Sequence, residues 1–108
     1  MRSVTLHDEA KLEIGEAARW YDMREPGVGD DLWQCVEVAL DMLESGQIIP
    51  GAPVPGRIAK HGGRRLLIER FPYSVVFVQH GNDVRVLAFA HHKRRPGYWR
   101  NRMKQGAR

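Results

Sequence analysis

The apolar residues of this 108-residue chain change period partway along it, and the two periods belong to different kinds of element. Leu32, Cys35, Val36, Ala39, Leu40 and Leu43 stand at i, i+3, i+4, i+7, i+8 and i+11, which puts all six on one side of an α-helix. After residue 56 the period falls to two. Arg57–His61, Arg64–Arg70, Tyr73–His80 and Val84–Ala90 read as strands, punctuated by Gly62-Gly63, Phe71-Pro72 and Gly81-Asn82-Asp83. Strands so closely spaced form an antiparallel meander, whose apolar face must be covered by helices. An α+β class follows.

A first helix precedes the one just described. Ala10, Ile14, Ala17, Ala18 and Tyr21 recur at helical spacing, with Glu9, Glu13 and Glu16 off the stripe, and Asp8 and Glu9 suit a helix N-terminus. Ser3–Leu6 ahead of it is a short β-type run. Pro26-Gly27-Val28-Gly29 separates the helices, Asp30 or Asp31 is placed to cap the second, and Gly46 to stop it. The uncharged stretch from Gly46 to Gly56, with three prolines, reads as an ordered connector inside a single domain spanning 1–108. The single cysteine, Cys35, falls in the second helix stripe, where burial is expected rather than catalysis. With no disulfide partner, no apolar stretch resembling a secretory signal and no apolar run near the roughly 20 residues that span a bilayer, the expectation is a protein of the reducing cytoplasm without a membrane partner.

Charge divides along the same line as the period. Residues 1–45 hold four Lys/Arg against eleven Asp/Glu, and residues 57–108 hold thirteen Lys/Arg against Glu69 and Asp83. From His91 to Arg102 there is no acid, and five cations interleave with Tyr98 and Trp99. Cations among aromatics suit a surface that meets phosphate and stacks on bases, so a polyanion is the expected partner. His91-His92 has no Cys or carboxylate at a ligand spacing, so no metal is expected. Gly27-Val28-Gly29 follows a helix rather than a strand, so no nucleotide loop is expected, nor any cofactor.

The motifs taken in order, Glu16-Ala17-Ala18-x-Trp20-Tyr21, Pro26-Gly27-Val28-Gly29, Arg64-Arg65, Arg70-Phe71-Pro72-Tyr73 and Ala88-x-Ala90-His91-x-x-Arg94-x-Pro96-x-Tyr98-Trp99-x-x-Arg102, resemble the RelE/ParE superfamily, also called plasmid stabilisation proteins. The resemblance covers nearly the whole chain. It implies an N-terminal helical hairpin packed on a small twisted antiparallel sheet with a short C-terminal tail or helix. It also implies the toxin of a type II toxin–antitoxin system, held silent by a cognate antitoxin. RelE-like members cut mRNA on the ribosome, whereas ParE-like members inhibit DNA gyrase without catalytic residues.

Metal-independent RNA cleavage needs a base, an acid for the leaving oxygen and cations for the phosphorane. His91 is the expected proton carrier, Arg94 the phosphate clamp and Tyr98 the stacking or acid group, with Arg64, Arg65, Arg70, Lys93, Arg95 and Arg102 binding RNA. Strand alternation lets only one of His91 and His92 share a surface with an arginine of the neighbouring strand. Blander roles compete: a hydrogen-bonded strand end for the histidines, a solvated edge for Arg64-Arg65, and docking of the tail on the core for Trp99. Trp20 and Trp33, beside the apolar stripes, read as rim packing or as surface open to a partner. Three functional readings stay open: an endoribonuclease, a gyrase-binding inhibitor, and a chain that only binds its antitoxin.

Overall fold

In a computed structural model, which describes residues 2–46, 63–95 and 97–106, the helical stripes lie where their spacing puts them. Helix α1 (Asp8–Arg24) buries Ala10, Ile14, Ala17 and Ala18, and α2 (Val28–Ser45) buries Leu32, Val36, Ala39 and Leu43, with Cys35 and Leu40 packed beside them. His7 caps α1, its Nδ1 accepting the Glu9 N–H at 3.0 Å. The cap of α2 differs from expectation. Gly27 is the cap residue, at φ 95°, and neither Asp30 nor Asp31 bonds the helix end. Asp22 of α1 does so instead, its Oδ1 accepting the Gly27 N–H at 3.2 Å and the Gly29 N–H at 2.7 Å. The helices meet so closely here that a Cβ on Gly29 would lie 2.6 Å from the Ala18 carbonyl oxygen. Gly46 closes α2 in the left-handed conformation, as its position predicts.

Strands β1 (Ser3–Leu6), β2 (Arg64–Leu67), β3 (Tyr73–His80) and β4 (Asp83–His91) form one sheet in the order β1-β4-β3-β2. β2, β3 and β4 make the expected antiparallel meander, and β1 adds a parallel edge along β4 from Ser3↔Asp83 to Leu6↔Val86, so the sheet is mixed. The expected strand over Arg57–His61 and most of the connector lie outside the described residues. Between Val76↔Ala88 and Phe77↔Val86 the register slips, leaving Leu87 as an extra residue in β4.

Both faces of β3 and β4 are covered, which explains why Val75–Val78 and Val86–Ala90 are continuously apolar rather than alternating. The helices cover the face carrying Val75, Phe77, Val84, Val86 and Phe89. The far face, with Val76, Val78, Leu87, Ala88 and Ala90, is covered not by the helical hairpin but by the C-terminal segment, through Trp99 with Tyr98 and Met103. A short helix α3 (Asn101–Gly106) follows. Trp99 therefore docks the tail. No helix among the described residues is long and apolar enough to cross a membrane.

Candidate functional site

β1 ends at Leu6, and after the His7 N–H donates to the Val86 carbonyl the chain turns into α1. The outward edge of β4 beyond that point meets no other strand among the described residues. Glu13, in the second turn of α1, fills the position. Its Oε1 accepts the Phe89 N–H at 3.0 Å and Arg102 Nη1 at 2.9 Å, and its Oε2 accepts the Tyr98 hydroxyl at 2.8 Å, Arg102 Nη2 at 3.1 Å and Arg94 Nη1 at 3.5 Å. Arg102 Nη1 also donates to the Leu87 carbonyl at 3.0 Å. The Glu13 and Arg102 side chains are 11% and 13% exposed, so their forked pair lies in low dielectric, whereas Arg94 is 54% exposed.

Three of the sequence-predicted residues, Arg94, Tyr98 and Arg102, are thus drawn together, but onto a carboxylate of the same chain. The Arg94 guanidinium also lies 3.8 Å from the centre of the Tyr98 ring. Burial, then the hydrogen bond and negative charge of Glu13, push the Tyr98 phenol well above its ordinary pKa. Tyr98 is accordingly a fixed proton donor to Glu13. For Arg102, burial works against the charge, and the Glu13 bond and charge more than reverse it.

The remaining predicted residues are dispersed. His91 lies on the helix side of the sheet, its ring edge-on to Tyr73 at 5.0 Å, with Tyr73 stacked on Phe89 at 4.6 Å. Its Nδ1 accepts the Lys93 N–H. Register divides the arginine pair. Arg64 opposes Phe77 of the helix-facing core, while Arg65 opposes Val76 of the far face. Arg70 sits in the β2–β3 turn at φ 72°, 3.6 Å from Asp31 of α2. Lys93 and Arg95 are exposed, with no ion pair among the described residues.

A second grouping occupies the far face. Ser74, 3% exposed, places its Oγ 2.9 Å from His92 Nε2. Ser74 opposes Leu67, one pair along from Leu66↔Val75 and two from Arg65↔Val76, so Arg65, Ser74 and His92 share a surface. Sequence reasoning missed Glu13 and Ser74 altogether. Glu13 did carry a signal: three residues after Ala10 and four before Ala17, it borders the buried arc of α1. Ser74 carried none. Trp20 and Trp33 stand 48% and 40% exposed, Trp20 under the guanidinium of Arg24 at 3.4 Å.

No family model matches the sequence, and no curated protein does. Among solved structures, the chain is similar to one in the chromosomal ParDE TA system from P. aeruginosa. Identity is 20% and the TM-score 0.59, over 84% of this chain and 96% of that one. At that identity the likeness is one of fold. A helical hairpin on a small sheet with a parallel β1 edge and a C-terminal tail across the far face makes this an α+β chain of ParE-like fold.

Proposed function

We propose that the chain is the toxin-like half of a toxin–antitoxin pair, and that it acts by binding its target rather than by cutting RNA. DNA gyrase is the target that the resemblance implies. The observation that carries the reading is the closure of Arg94, Tyr98 and Arg102 on Glu13. A phenol held as donor to an internal carboxylate is not aimed at a leaving oxygen, and a guanidinium already forked onto a carboxylate is a poor phosphate clamp. Likeness of fold to a chain of the ParDE TA system supports the pairing with an antitoxin. The charge division supports an acidic segment in that partner. Expression of the chain alone tests the proposal. Growth should stop with DNA damage and intact message, and co-expression of the antitoxin should relieve it; message cut within codons would overturn the reading.

One observation favours the second reading, ribosome-associated mRNA cleavage in the cytoplasm. The Ser74-anchored His92 shares the far face with Arg65, and Lys93 and Arg95 are exposed nearby in sequence. If message is cut, His92→Ala and Arg65→Ala on that face should abolish cleavage. Parallel His91→Ala, Arg94→Ala and Tyr98→Phe variants test the set that the sequence nominates, and Arg64, Arg70, Lys93, Arg95 and Arg102 the RNA contacts around it.

A further inference from the structure

The bulge at Leu87 turns the Leu87 carbonyl and the Phe89 N–H toward the outward edge of β4. In a parallel ladder, one residue of a neighbouring strand would accept from that N–H and donate to that carbonyl. Glu13 and Arg102 make the same two bonds, joined to one another at 2.9 Å. The ion pair stands in for one residue of a strand prolonging β1.

This substitute is oversupplied with donors. The Phe89 N–H, the Tyr98 hydroxyl, two nitrogens of Arg102 and one of Arg94 aim at two carboxylate oxygens, which offer about four lone-pair sites. The Arg94 contact, at 3.5 Å, is the longest, and its side chain is the most exposed of the cluster. Two guanidinium charges face one carboxylate, and Lys93 and Arg95 add exposed positive charge. The edge therefore combines backbone groups that fit a strand with an excess of positive charge that fits an acid carried on it.

We propose that the β4 edge from Leu87 to Phe89 is a docking edge for an extended acidic segment of a partner protein, whose backbone replaces the Glu13–Arg102 pair and whose carboxylate takes the place of Glu13 on Arg94 and Arg102. The exchange trades one carboxylate for another, so the new backbone bonds and side-chain contacts decide its sign. The Leu87 carbonyl and the Phe89 N–H stand two residues apart on one edge, the spacing that a single residue of a parallel peptide strand satisfies, which favours a peptide. The proposal deepens the reading of the chain as the partner of an antitoxin, because the segment it describes belongs to such a partner.

The test uses the purified full chain and a capped ten-residue peptide of alternating Val and Glu, with the Phe89 amide resonance as reporter. The peptide should shift that resonance saturably, and a version with Gln for every Glu should not. Glu13→Gln, which weakens the internal competitor, should tighten peptide binding by about tenfold, and Arg102→Ala should remove the gain. Equal binding of the Glu and Gln peptides, or no tightening in Glu13→Gln, would overturn the proposal. So would a single-stranded oligouridylate that moves the Phe89 amide when the peptide does not. Should Glu13→Gln fail to fold, Arg94→Ala probes the same edge: severalfold weaker binding at low salt supports docking there, and unchanged binding refutes it. These are measurements on purified protein, so a chain that fails to arrest growth yet binds the peptide would retire the toxin reading and leave the docking edge standing.

Discussion

Replacing Glu13 with Ala removes the acceptor from four donor groups at once. Arg102, 13% exposed, becomes a buried cation without its carboxylate, and the Phe89 N–H and Tyr98 O–H lose their acceptor. Breaking one side of a buried ion pair costs about 3–5 kcal/mol. Arg94, half exposed and at 3.5 Å, adds no more than about 0.5 kcal/mol. Water entering the vacated space will satisfy part of what is orphaned, so a loss of about 3 kcal/mol is expected. For a chain of this length that lowers the melting temperature by roughly 10–20 °C.

Urea unfolding measures the loss directly, provided the denaturant slope is unchanged. Arg102→Met serves as the second arm of a double-mutant cycle. It leaves Glu13 with Phe89, Tyr98 and Arg94 as partners, so it should cost less than Glu13→Ala. In the double variant the buried charge of Arg102 is gone, and the Leu87 carbonyl, the Phe89 N–H and the Tyr98 hydroxyl remain without their side-chain partners. The double loss should therefore fall below the sum of the single losses by more than about 1 kcal/mol. A Glu13→Ala variant within about 1 kcal/mol of the parent, or strictly additive losses, would show that the cluster is a surface contact and not the closure of the sheet.

Gly29→Ala should destabilise by about 1–3 kcal/mol, read from thermal unfolding, because its Cβ meets the Ala18 carbonyl oxygen at 2.6 Å and backbone must move. The Trp99 indole N–H is buried with no acceptor, so Trp99→Phe should be within about 1 kcal/mol of neutral while Trp99→Ala costs about 3–5 kcal/mol. Arg70 holds a left-handed φ of 72°, and its pair with Asp31 is exposed on both sides; Arg70→Gly should leave stability unchanged or raise it by up to about 1 kcal/mol, and a clear loss would reveal packing by the Arg70 stem. In alkaline titrations the native Tyr98 keeps a proton that the unfolded phenol releases near pH 10. Its contribution is intact below that pH and fades as the pH rises toward the raised native value, so Tyr98→Phe should flatten the decline above about pH 10.

What could be read in the sequence was what short-range periodicity encodes. The stripes of α1 and α2, the left-handed stop at Gly46 and the antiparallel pairing from β2 to β4 each depend on residues close in the chain, and each stands where its spacing put it. The docking of Trp99 was legible because a large aromatic in a charged tail needs a core to cover. What escaped joins distant residues. β1 pairs with β4 across some 80 positions with no turn to announce it, Asp22 caps a helix seven residues on, and Glu13 meets Tyr98 and Arg102 after 85 and 89 residues. An acid beside a helical stripe looks the same whether it meets solvent or a guanidinium.

The placement of the two histidines depends on one residue that no periodicity rule foresees. Val84 and Val86 face the helices, and unbroken alternation from them would put His91 on the far face beside Arg65. The extra residue at Leu87 reverses the parity. Phe89 and His91 turn to the helix side, and Ala90 and then His92 to the far face, where Ser74 meets His92. The same insertion aims the Leu87 carbonyl and the Phe89 N–H at the edge that Glu13 and Arg102 close. One bulge thus decides both which imidazole shares a surface with Arg65 and where the basic tail is tied down. Deleting Leu87 should therefore leave His92 beside Arg65 and the Phe89 N–H at the edge, whereas a β4 that took Leu87 into the ladder would present His91 there instead.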